Sequence, residues 1–172
     1  MFQKGDCIVY GSTGVCRIKA VGPLGNMRGA DRQRLYYTLD PLYEQGVIYA
    51  PVDCDVFMRP ILSRRAVDEL ISKIPDIRED RAFNSCDQRM LSDYYRAFFR
   101  THNCEDLVQL IKTVYAKNKH SQETGKKVGQ TDQRYKKHAE ELLYGEFAVA
   151  LGIPVETVVD YISDRLSHPE QT

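Results

Sequence analysis

The sequence predicts a β + α protein: a small antiparallel β-barrel over residues 1–60, followed by an all-helical domain of about five helices. Three observations predict it. Short β-branched and aromatic runs, broken by Gly and Pro, fill the first sixty residues. After Pro60 the apolar positions take up a helical period, first at Val67, Leu70, Ile71 and Ile74. Residues suited to helix ends, Ser63, Asn103 and Gly152, fall where those periodic runs begin or stop.

The strands follow in order. Gly5–Tyr10 alternates weakly and ends at Gly11-Ser12-Thr13-Gly14, a turn whose residues tolerate positive φ. Val15–Val21 is the second strand, and residues 22–31 form a loop. Arg34–Leu39 is the third, broken by Asp40-Pro41, and Val47–Val52 is the fourth. A short fifth strand is expected at Val56–Arg59.

The helices follow from caps and periodicity. Ser63 caps the first, which Pro75 stops. Residues 61–84, including this helix, are expected to form a connection between a domain at 1–60 and a domain at 85–172. The second helix, Ser85–Arg100, carries Met90, Leu91, Tyr94, Tyr95, Phe98 and Phe99 as i, i+4 pairs, and its aromatic stripe Tyr94, Tyr95, Phe98 and Phe99 reads as core rather than a base-stacking surface. Asn103 caps the third, with Glu105 and Asp106 complementing the helix dipole, and the helix is expected to end at Lys117–His120. A loop over residues 120–130 leads to a long helix, Thr131–Leu151. Gly152 closes that helix, and Pro154 suits the first position of the last one.

Composition limits the function. With 42% hydrophobic residues the chain can bury a core, and no run approaches the roughly 20 apolar residues of a membrane span. A cytoplasmic protein without a membrane partner is expected. The five cysteines are scattered, with no C-x-x-C pair, and fit reduced thiols packed as small hydrophobes. His102, His120, His138 and His168 share no ligand spacing, so no metal, no cofactor and no catalytic site are expected.

The net charge of zero hides a polarity along the chain. Residues 81–137 hold twelve Lys and Arg against six Asp and Glu, whereas residues 138–172 hold one Arg against seven acids. A basic block beside an acidic one suits a polyanion partner, although a solvated helical face gives the same composition. Arg81, Arg89, Arg134, Lys136 and Lys137 are the candidate phosphate contacts. Leu151–Val159 has the look of a helix-turn-helix, but Glu156, Asp160 and Asp164 on its second helix would repel phosphates, so it counts as structural.

The order of motifs resembles a known family. Gly5–Tyr10 with Gly14-Val15, then Tyr49-Ala50-Pro51-Val52-Asp53, then Arg59-Pro60-Ile61, is similar to the CarD family of bacterial transcription regulators. The first part is shared with the polymerase-interacting domain of transcription-repair coupling factor. The spacing from Asn103 through Lys117 to Asp132, Ala139, Leu142, Leu143, Glu146 and Leu151 follows the family's helical domain.

The resemblance implies a Tudor-like barrel that binds the β subunit of RNA polymerase. It also implies a helical domain that touches promoter DNA at the upstream edge of the transcription bubble and alters open-complex stability, without catalysis. The binding edge would be Val47, Ile48, Tyr49 and Ala50, adding to a polymerase strand, and Pro51 suits an edge. An ordinary interior strand is the plainer alternative.

Tyr49 stands where the family has a basic residue. The family's wedge Trp is absent, since the chain has no Trp. Counting back from Asn103 without gaps places Gln88 at the wedge, and a small shift brings Phe83 there instead. DNA binding is expected to be non-sequence-specific and the chain monomeric. The alternative is a polymerase-binding adaptor that makes no direct DNA contact.

Overall fold

Alternating apolar residues in the first sixty positions build five strands: β1 (Cys7–Tyr10), β2 (Gly14–Gly22), β3 (Tyr36–Pro41), β4 (Ile48–Pro51) and β5 (Met58–Pro60). The computed structural model describes residues 1–25, 28–29, 31, 33–80 and 87–168. The chain divides into two units, Met1–Ile61 and Leu62–Thr172.

In the first unit all ladders are antiparallel, in the order β4-β3-β2-β1-β5. One face buries Ile8, Cys16, Ile18, Tyr37, Leu39 and Ala50 against each other. The Tyr37 hydroxyl accepts the Phe2 amide at 3.1 Å, so the first residues fold over this core.

The sheet is not closed, which corrects the expected barrel. Closure would require β4 to pair with β5. β5 has only three residues, and the two strands end on Pro60 and Pro51, neither of which can donate to a ladder.

The third strand also differs from expectation. Asp40 and Pro41 continue it, opposite Arg17 and Cys16. A register shift between Ile18 and Ala20 accommodates the extension, and Lys19 pairs with Asp40 at 3.0 Å. Proline is tolerated there because Pro41 and Cys16 form a non-hydrogen-bonded pair and the β4 ladder stops at Leu39, so no ladder bond needs its amide.

The second unit contains α1 (Arg64–Lys73), α2 (Gln88–Arg100), α3 (Cys104–Glu123), α4 (Gln130–Leu151) and α5 (Val158–Ser167). Ser63 Oγ accepts the Ala66 amide at 3.1 Å, and Asn103 Oδ1 accepts the Glu105 amide at 3.0 Å. α1 is more than a connection. Its Val67, Leu70 and Ile71 join the core with Leu91 and Tyr95 of α2, Leu110 and Val114 of α3, and Leu143 and Phe147 of α4. Asp68 on α1 accepts from Tyr161 at 2.7 Å and pairs with Arg165 at 3.0 Å, which fastens α5.

α3 runs a turn further than expected, because nothing breaks it before Gly125, whose φ is +69°. α4 ends on Gly152 in the left-handed conformation, φ +68°. Pro154 does not open α5. It precedes a 3₁₀ turn, Val155–Thr157, from which α5 continues. Among the described residues no single helix is long and apolar enough to cross a membrane.

Candidate functional site

β4 is an edge of the sheet, and Val47 lies just before it. Side chains alternate across a strand, and this alternation sorts the four residues of the expected polymerase edge. Ala50 is buried and faces Tyr37, and Ile48 packs partly against the same core. Val47 is 52% exposed and Tyr49 41%. The Ile48 and Ala50 backbone groups bond β3, so a partner strand would meet the side chains and the outward backbone groups of Val47 and Tyr49. Beside the edge, Arg34 Nε donates to Asp53 Oδ1 at 2.8 Å, and both side chains are largely exposed.

In the helical unit α3 and α4 run antiparallel. Cys104 meets Glu146, Lys117 meets Asp132 and Asn118 meets Gln133. Two buried carboxylates hold this pairing. Glu146, 3% exposed, accepts the Leu62 amide at 2.9 Å and the Cys104 thiol at 3.2 Å. Asp132, 7% exposed, accepts from the Tyr95 hydroxyl at 2.5 Å and from Lys117 at 2.8 Å. Burial first, and the Asp132 carboxylate second, hold the Tyr95 phenol well above its ordinary range.

Residues 74–80 lie along α3. Lys112 donates to the Ile74 carbonyl, Gln109 donates to that of Arg78, and the Asp80 amide donates to Thr113. The Tyr94 hydroxyl donates to Asp80 at 2.9 Å, and burial followed by that contact raises the Tyr94 phenol too. The stripe Tyr94, Tyr95, Phe98 and Phe99 is thus core, with Tyr95 fully buried.

The candidate DNA residues fall into three groups. Arg81 and Phe83 lie outside the described residues. Gln88 and Arg89 form the exposed first turn of α2, where Asp87 Oδ1 accepts the Arg89 amide. Gln88 Oε1 accepts from Thr131 at 2.6 Å, which joins the start of α2 to the start of α4. Arg134, Lys136 and Lys137 lie on the first half of α4, but on different faces. Lys136 pairs with Glu140 at 3.4 Å, both partly buried, while Arg134 and Lys137 are exposed one turn apart.

The structure gathers more basic residues at this end than the candidates named from sequence. Lys126 and Lys127 lie in the exposed loop between α3 and α4. His138 follows Lys137 and stacks on Phe99 with centroids 5.0 Å apart. The i, i+3, i+4 spacing of Arg134, Lys137 and His138 was the sequence signal for the last of these. Lys117, basic in sequence, is committed to Asp132. Among the described residues no group of His, Cys, Asp and Glu is placed to hold a metal ion. Burial pushes the Cys16 thiol up to about 11, which suits a packed thiol rather than a nucleophile.

No curated protein matches the chain. Residues 2–62 match the family described as the CarD-like/TRCF RID domain. The match covers the sheet unit, its β4 edge included, and ends before α1. The sheet unit of this chain is thus similar to the CarD-like/TRCF RID domain.

Proposed function

We propose that this protein is a transcription regulator whose sheet unit binds the β subunit of RNA polymerase along β4. The helical unit contacts promoter DNA at the upstream edge of the bubble through phosphates and so modulates the stability of the open complex. The coarse part, a transcription-related polymerase-interacting role, follows from the domain family, a non-enzymatic interaction module. That role fits a cytoplasmic protein, and no cofactor enters it.

The observation that carries the proposal is the β4 edge. Within a domain of an interaction family, an edge strand presents backbone donors and acceptors together with the exposed Val47 and Tyr49. Recovery of polymerase from lysate by the full chain tests it. Tyr49→Pro removes an outward-facing backbone donor and Tyr49→Glu places a charge on the exposed face, and both should abolish recovery while circular dichroism stays unchanged. Undiminished recovery by both folded variants rejects the β4 assignment.

A second reading, an adaptor without DNA contact, is favoured by one set of observations. The chain has no Trp, and two of its lysines, Lys117 and Lys136, are engaged with Asp132 and Glu140. The salt dependence of duplex binding separates the two, because phosphate contacts weaken linearly in the logarithm of salt concentration.

A further inference from the structure

On the outer side of α4 a shallow cleft of about 410 Å³ is lined by Arg134, Tyr135, Lys137, His138 and Glu141. Arg134, Lys137 and His138 are spaced i, i+3, i+4, so they share one face of the helix. Two of the three are held in place by rings. The Arg134 guanidinium sits 5.1 Å from the centroid of Tyr135, which packs in turn against Tyr95 and Phe99. The His138 ring lies on Phe99 at an interplanar angle of 30°. Groups ordered in advance lose less rotamer freedom when a ligand arrives. A guanidinium fork, an ammonium and an imidazole N–H on one helix face offer the donors that suit a tetrahedral oxyanion. Glu141 opposes them weakly, since its contact with Lys137 is 3.8 Å and both side chains are largely exposed.

We infer that this cleft is a seat for one phosphate group, held by Arg134, Lys137 and His138. Lys136 takes no part, because it is turned to Glu140 on the neighbouring face. The phosphate belongs either to a DNA backbone or to a free phosphate-bearing molecule. The first source rests on the DNA reading above; the second does not.

The experiment uses the full chain and two probes. Inorganic phosphate is titrated against chloride at matched ionic strength while the His138 ring and Arg134 Nε resonances are followed. In parallel, a labelled DNA duplex is bound at several salt concentrations. Phosphate should shift both resonances, and Arg134→Gln or Lys137→Gln should each weaken that binding about fivefold. Lys136→Gln should leave it unchanged.

If duplex affinity falls in the same two variants, and the salt slope drops by about one unit in each, the backbone is the source. If phosphate binds in the cleft and duplex does not bind, the seat stands with a free ligand, and the DNA reading falls. Unmoved His138 and Arg134 resonances overturn the inference whether or not duplex binds. So does a Lys136→Gln loss equal to that of Lys137→Gln.

Discussion

The Tyr95 hydroxyl on α2 donates to Asp132 Oδ1 on α4 at 2.5 Å, and Lys117 on α3 donates to the same oxygen at 2.8 Å. Three helices thus meet at one carboxylate, at the end of the bundle that carries the basic residues. Tyr95→Phe keeps the ring and its packing against Tyr94 and Tyr135 but removes the donor. A hydrogen bond to a charged acceptor at a buried site is worth about 2 kcal/mol. Urea unfolding of the variant should show a loss of that size with an unchanged slope. A loss under about 0.5 kcal/mol would mean that Lys117 alone satisfies Asp132.

Gly129→Ala should strike the same network from the other side. A Cβ at Gly129 would lie 2.5 Å from Asp132 Oδ2, although the glycine's φ of −69° suits any residue. The obstacle is space, not conformation. Asp132 cannot swing away cheaply, since Tyr95 and Lys117 hold its other oxygen. The variant should lose about 1–3 kcal/mol by overpacking. Combined with Tyr95→Phe, it should lose less than the sum, because the carboxylate is then held on one side only. Additive losses in the double-mutant cycle would separate the two effects.

Alkaline pH should unfold the helical unit. Burial is the largest cause raising Tyr94, Tyr95 and Tyr144, with Asp80, Asp132 and Glu140 contributing respectively, and Tyr144 reaches about 12. A raised folded-state value favours the protonated phenol in the native state. The stabilisation is therefore complete below the unfolded value of about 10 and is lost as pH rises through the folded values. Stability should be level up to about pH 10 and then fall steeply. Phenolate absorbance should show these three of the 11 tyrosines ionising only together with loss of helical dichroism. Ionisation of every tyrosine with the dichroism intact would contradict this.

The helix ends at Ser63, Asn103 and Gly152 were legible in the sequence because capping is local, whereas the end of α3 and the start of α5 were not. Ser63 and Asn103 each bond an amide two or three residues on, and Gly152 needs only its own φ. Sheet closure was not legible, since it depends on whether the shortest strand, β5, pairs with β4 at the opposite edge of the sheet, which no local signal states. Asp132 and Glu146 looked like ordinary charges on a charged helix. Only their partners, 15 to 84 residues away, make them interior anchors. The basic residues were legible as a block but not by face. Lys136 and Lys137 are neighbours in sequence, yet Lys136 is partly buried against Glu140 while Lys137 borders the cleft.

Gln88→Trp tests the DNA step at the other exposed turn of this end. Gln88 is the first residue of α2 and is exposed, so a Trp fits there without entering the core. The cost is the Thr131 bond at 2.6 Å, a surface contact worth about 1 kcal/mol at most. In the native chain Gln88 is engaged with Thr131, and an amide is a poor substitute for a stacked base. Phosphate contacts alone should then give weak, sequence-tolerant binding and a modest effect on open-complex lifetime. A Trp at this position adds apolar surface that can replace stacking at the bubble edge, and it should lengthen that lifetime without changing the salt slope of duplex binding. Abortive initiation on a defined promoter measures the first, and fluorescence anisotropy the second. The comparison variant is Thr131→Val, which frees Gln88 without adding a ring and should leave the lifetime unchanged. If Gln88→Trp also leaves it unchanged while the fold is intact, Gln88 is not at the bubble edge. Phe83→Ala then decides, since a shortened lifetime assigns the wedge to Phe83 and an unaltered one leaves the adaptor reading in place.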